Sequence, residues 1–167
     1  MAILDQLWPT LWQLKHNSIV LNLLVEKYQN YNRRINLLIV LASSSSVGAW
    51  AVWKQFPIVW SSIIIASQIA TVIKPYFPYT KYIREFNSKC SKVDIIVTEL
   101  EFLFAKKGSA DEKEMKTIER DYMNLKREIN KTLNFSDDLL FKTSKKMEVL
   151  ADKKLASYLK INYDIDS

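Results

Sequence analysis

One histidine, one cysteine and two glycines among 167 residues close off most enzyme chemistry before any motif is sought. With only His16 and Cys90, no zinc cluster, haem pair or histidine-based catalytic triad can be assembled within one chain. A lone cysteine also excludes an internal disulfide and fits a reducing compartment. Gly48 and Gly108 cannot supply a phosphate-cradling loop or a dinucleotide fingerprint. Two glycines are likewise too few for β-hairpin turns, and no useful length of chain alternates with period two. Carboxylate neighbours such as Glu99 with Glu101, or Asp137 with Asp138, fall on charged helical surfaces or beside helix caps, where a solvated role outweighs an acid/base one. The expectation is an all-α protein that is not an enzyme and carries neither cofactor nor metal.

Charge is missing in one place above all. From Ile35 to Ile73 the only formal charge is Lys54, near the middle. The two uncharged arms, Ile35 to Trp53 and Gln55 to Ile73, are each ~28 Å long as α-helices, roughly the hydrocarbon thickness of a bilayer. They read as a two-span transmembrane hairpin. Pro57 suits the first position of the second span, where its missing N–H costs nothing. Trp50, Trp53, Phe56 and Trp60 cluster at the turn, and Tyr28, Tyr31, Tyr76, Phe77, Tyr79 and Tyr82 at the open end, as rings that settle at headgroup depth do. A buried hairpin in a soluble bundle fits less well, because covering both helices all round needs more protein than this chain provides.

Flanking charge orients the hairpin. Arg33 and Arg34 precede the first span and Lys74, Lys81 and Arg84 follow the second, so the positive-inside rule places both termini of a multi-pass protein in the cytoplasm. The net charge of +6 is partly topological, since residues 74–167 hold nineteen basic against sixteen acidic groups. That mixed-sign tail does not argue for genomic DNA as a partner. The chain divides on this basis into residues 1–34, N-terminal cytoplasmic or interfacial helices; 35–73, the hairpin; and 74–167, a cytoplasmic helical domain.

Outside the hairpin the patterning is helical. Met1 to His16 is apolar and aromatic but has Asp5 where a signal peptide has a basic region, and it reads as a short surface or docking helix. Asn17 or Ser18 is expected to cap the next helix. After Pro75 and Pro78, apolar residues at Tyr79, Ile83, Phe86, Cys90, Val93, Val97, Leu100 and Phe104 alternate steps of four and three, a coiled-coil seam. Lys107, Gly108 and Ser109 form a turn. Ser109 with Glu112 reads as a capping box for a helix with its own seam at Met115, Ile118, Tyr122, Leu125 and Ile129. A last helix, about Asp137 to Lys160 with Ser136 as its cap, is expected to bury Leu140, Met147, Leu150, Leu155 and Tyr158.

Two sets of residues carry candidate function. In the spans, Ser43, Ser46, Ser61, Gln68 and Thr71 are polar groups that line a narrow pore if several protomers assemble; small-residue stripes such as Ser62, Ala66 and Ala70 favour plain helix packing instead. A lipid-facing Gln68 is costly, so it should meet another helix or water. In the tail, Lys113, Lys116, Arg120 and Arg127 lie opposite the apolar seam of their helix. Such a stripe is usually just a solvated face, and its functional alternative is an anionic, phosphate-bearing ligand.

This layout of N-terminal helices, tight hairpin at Ile35 to Ile73 and helical tail from Tyr79 onward resembles the SLATT family, bacterial two-span proteins found beside nucleotidyltransferases in anti-phage systems. The resemblance implies a homo-oligomeric effector of the bacterial inner membrane in antiviral defence. Its pore would be controlled by a nucleotide or oligonucleotide second messenger from a partner nucleotidyltransferase, with membrane lipid and further copies of the chain as its other partners. The competing readings are a membrane anchor with a docking tail for a soluble partner, and a holin-like lytic protein.

Overall fold

A computed structural model describes residues 4–43, 57–76, 79–134 and 143–164. These residues are almost entirely helical, with no strand among them, in line with the expectation drawn from two glycines and the absence of period-two alternation. Five α-helices run in chain order: α1 (Leu7–Ser43), α2 (Pro57–Ile73), α3 (Tyr79–Lys107), α4 (Glu112–Leu133) and α5 (Lys145–Tyr163). The chain forms two compact units, one of residues 1–25 with 84–167 and the other of residues 26–83. The boundaries fall inside α1 and α3, so the N-terminal residues and the tail, read from sequence as separate segments, share one unit.

The larger unit is built on the first half of α1. Leu7, Leu11, Leu14, Ser18, Leu21 and Val25 are all buried, at alternating steps of four and three that form one stripe along the helix. No break occurs at Asn17 or Ser18, contrary to the expected cap there: α1 passes straight through. Ser18 is a buried seam residue whose hydroxyl finds a carboxylate on α3, and this removes the reason for it to act as a cap. Pro9 sits in the first turn of α1, where an N–H has no intrahelical acceptor to lose.

α3 runs antiparallel to this half of α1: Trp8 packs on Phe104 at 5.1 Å between ring centroids, and farther along Ser18 bonds to Asp94. Phe86, Cys90, Val93, Val97 and Leu100 of the expected α3 seam are buried, joined by Ile96 and Leu103. α5 is also antiparallel to α1, through Trp8 with Tyr163, Lys15 over the Tyr158 ring, and His16 with Asp152. α4 adds Ile118, Tyr122, Leu125 and Ile129, and the Tyr122 hydroxyl is satisfied by Thr10 Oγ1 at 2.8 Å. The seam of α3 is therefore consumed within the chain. Each buried leucine in it contributes on the order of 2–5 kcal/mol, judged by the cost of truncation to alanine.

Local signals differ from the sequence reading at several helix ends. The capping box of α4 is Asp111 with Glu114, two residues beyond the expected Ser109 and Glu112: Glu114 N–H donates to Asp111 Oδ1 at 2.7 Å, and Asp111 N–H donates to Glu114 Oε2. Gly108 and Ser109 instead make the turn, donating their N–H groups to Ala105 O and Lys106 O. α5 begins after a Ser144 cap and buries Met147, Ala151, Leu155 and Leu159, whereas Leu150 is exposed. The expected Ser136 cap and Leu140 lie outside the described residues.

In the smaller unit α2 starts at Pro57, the position anticipated for it, and a 3-10 turn at Lys74–Tyr76 follows. Lys74 Nζ donates to Asn36 Oδ1 at 2.6 Å, so the end of this helical run meets the start of the apolar part of α1. Tyr28, Tyr31, Tyr79 and Tyr82 form a ring cluster, with Tyr28 5.6 Å from Tyr82 and 6.0 Å from Tyr79. Burial, reinforced by the neighbouring phenols, pushes the Tyr28 hydroxyl above its usual pKa. Among the described residues one helical run, Pro57–Tyr76, is long and apolar enough to cross a membrane. Its apolar side chains point outward: Ile58, Val59, Ile65, Ile69 and Val72 are each more than half exposed. The turn around Lys54 and the aromatics Trp50, Trp53 and Phe56 lie outside the described residues.

Candidate functional site

Three polar arrangements merit comparison: the stripe on α2, the basic face of α4 and a cluster between α1 and α3. On α2, Ser61, Gln68 and Thr71 are separated by seven and three residues, which puts them on one side of the helix, and all three are exposed. The opposite side carries buried Ser67 with half-buried Ile63 and Ala70. Close packing in this unit thus uses Ser67 and Ala70, while Ser62 and Ala66 of the anticipated small-residue stripe are exposed. Ser43 is the last residue of α1, and Ser46 lies outside the described residues.

The α2 hydroxyls are satisfied locally. Ser61 Oγ donates to Pro57 O and Thr71 Oγ1 to Ser67 O, each at 2.8 Å; Ser62 and Ser67 likewise donate to Ile58 O and Ile64 O. Gln68 differs. Its side chain is too long to fold back in this way, and no hydrogen bond joins it to another described residue. Among the described side chains of this helix, Gln68 is therefore the polar group that needs a partner from outside: water, a second copy of the helix or another protein.

On α4, Lys113, Lys116, Arg120 and Arg127 share the solvent face, turned away from Ile118, Tyr122, Leu125 and Ile129. Each pairing they make is local and exposed: Lys116 with Glu112 at 3.8 Å, Arg120 with Asp121 at 3.6 Å, and Arg127 donating to Asn124 Oδ1 at 3.4 Å. Pairs this exposed contribute little stability. None of the four lines the nearby cleft between α3 and α4, which instead holds Glu99, Asp121 and Glu128, groups that repel an anion.

The third arrangement was not anticipated from sequence. Ser18 Oγ donates to Asp94 Oδ1 at 2.5 Å, and the Cys90 thiol lies 3.8 Å from Ser18 O and 3.9 Å from Asp94 Oδ2. Asn22, Asn87, Ser91 and Thr98 complete a polar cleft of about 440 Å³ beside them. Burial, then the Asp94 charge, raises the Cys90 pKa, so the thiol is held protonated and poorly nucleophilic. The sequence held one available signal. The Leu7, Leu11, Leu14, Leu21, Val25 spacing continues only if Ser18 occupies a seam position, and a polar seam residue calls for a partner. Among the described residues no group of three or more His, Cys, Asp or Glu side chains is placed to hold a metal ion. Compared with known families, curated proteins and solved structures, the chain matches no family model, no curated protein and no solved fold.

Proposed function

We propose that this chain is a membrane effector. In this reading residues 35–73 form a two-span hairpin, both termini face the cytoplasm, and several copies assemble around a conducting path. The observation that carries it is the exposed Gln68 amide on α2, a helix whose other exposed side chains at that depth are apolar or hydroxyls bonded to their own backbone. In hydrocarbon an unpartnered amide costs on the order of several kcal/mol. A water-filled axis shared by several copies removes that cost. The helical unit then acts as the regulatory part, and Lys113, Lys116, Arg120 and Arg127 are the groups offered to the phosphates of a nucleotide second messenger, as the SLATT resemblance implies.

A second reading has its own support. Because the serine and threonine hydroxyls of α2 are bonded to backbone carbonyls, the helix needs little water, which suits an ion-tight anchor for a docking tail. Ion flux into liposomes holding purified protein, with and without an added cyclic dinucleotide, separates the two. The effector reading expects flux from wild type that Gln68→Leu abolishes at unchanged insertion and oligomer mass, since a ring of leucines dewets a constriction. Wild type that conducts under neither condition leaves the anchor.

A further inference from the structure

An assembly of this chain needs a contact surface in its helical unit, and the α3 seam is not that surface because Phe86, Cys90, Val93, Val97 and Leu100 are already buried within one copy. Two other surfaces of the unit stand open, and they are opposite in charge. One is the cleft of about 590 Å³ between α3 and α4, lined by the buried Leu103 and Leu125, by Phe102 and by the carboxylates of Glu99, Asp121 and Glu128. Phe102 is 66% exposed there, unusual for so large an apolar ring. The other is the outer face of α5, turned away from buried Met147, Ala151, Leu155 and Leu159. Lys146 and Lys153 run along its centre with Val149 and Leu150, 56% and 44% exposed, on either side.

The two surfaces match in spacing as well as in sign. Lys146 and Lys153 are seven residues apart, as are Asp121 and Glu128 in the cleft, so both charge pairs span ~10 Å of helix. Exposed apolar side chains accompany each pair, Val149 and Leu150 beside the lysines and Phe102 in the cleft with the carboxylates. We infer that the acidic cleft between α3 and α4 of one copy receives the lysine-flanked outer face of α5 of the next copy. The contact is head to tail, so each copy uses both surfaces and the assembly closes as a ring or extends as a filament according to the rotation between copies. Complementary charge sets the register, and apolar burial under Phe102 supplies the affinity. This inference rests on the proposed self-assembling membrane protein and names the surface through which it assembles.

The test uses full-length chains in detergent micelles, two differently tagged copies per sample and a short bismaleimide. A Glu99→Cys copy mixed with a Lys153→Cys copy is expected to cross-link, whereas either variant mixed with itself, and wild type with its buried Cys90, is not. Lys146→Glu in the Lys153→Cys copy should strongly reduce that cross-link at low salt, as should Glu128→Lys in the Glu99→Cys copy, and mixing the two double variants should restore it. Circular dichroism of each variant confirms that its helices persist. Self-cross-linking of Glu99→Cys, or no cross-link of the mixed pair in folded protein, overturns the inference. Oligomers that persist by light scattering without this cross-link place assembly in the hairpin and leave the membrane reading standing. A cross-link without any flux removes the channel and keeps the interface.

Discussion

The first half of α1 and the whole of α2 are both apolar helical stretches, yet the structure treats them in opposite ways. Leu7, Leu11, Leu14 and Leu24 are almost completely covered by α3, α4 and α5, while Ile58, Ile65, Ile69 and Val72 stand open to their surroundings. The difference lies in patterning. α1 up to Val25 interleaves its leucines with Gln13, Lys15, His16 and Asn22, leaving one stripe to bury. α2 has no charged residue and leaves apolar side chains exposed beside its polar stripe. Its helical run is long and apolar enough to cross a membrane, and the function proposed above builds on that.

The same substitution placed in both regions sharpens that contrast most strongly. Leu100→Asp puts a charge at a fully buried position of α3 and is expected to cost more than ~4 kcal/mol, enough to abolish cooperative melting of the larger unit followed by circular dichroism. Ile69→Asp on exposed α2 should leave that melting unchanged while opposing membrane insertion by about 3 kcal/mol, read as release from membranes by alkaline carbonate. If Ile69→Asp stays fully integrated, α2 is not a span and the comparison fails.

A smaller effect is expected within the covered region itself. Ser18→Ala removes the hydroxyl that donates to Asp94 and should cost about 1 kcal/mol in thermal or denaturant melting, since water can replace a donor to the exposed carboxylate. A gain in stability would show that the polar seam position weakens the unit and is kept for another reason. The smallest effect concerns Cys90. Its pKa is raised in the folded chain, so the unfolded chain loses its proton first and stability falls as pH rises past the ordinary thiol value; below that value the contribution is fully present. Maleimide labelling at mildly alkaline pH should accordingly be slow in the native protein and fast in denaturant. Equal rates would mean that the Ser18–Asp94–Cys90 cluster is open to solvent.

Much of the local structure could be read from the residues. Steps of four and three from Phe86 to Leu100 and from Ile118 to Ile129 identified buried stripes correctly, because a helix fixes which residues share a face. Pro57 marked a helix start for an equally local reason. Helix ends were less legible. Ser109 and Asp111 are both competent caps, and only the path of the turn at Gly108 selected the second. Leu150 illustrates the same limit, since an irregular pattern on α5 left several faces available and packing on α1 chose the one through Ala151 and Leu155. Of the functional candidates, the placement of Gln68 and of the α4 cations on single faces was visible in their spacing. Their partners were not.

Sequence by itself determined that this chain is helical and that its stripes are separated by a stretch with a single charge, because composition and periodicity act within a few residues of chain. Tertiary structure alone decided that the α3 seam is filled by the N-terminal half of α1 and the neighbouring helices, that Ser18 belongs with Asp94 and Cys90, and that an acidic cleft and a basic helix face remain uncovered. The first two of those outcomes depend on residues more than seventy positions apart competing for the same surface. A seam specifies that it must be buried, and only the packing of the whole unit specifies what buries it.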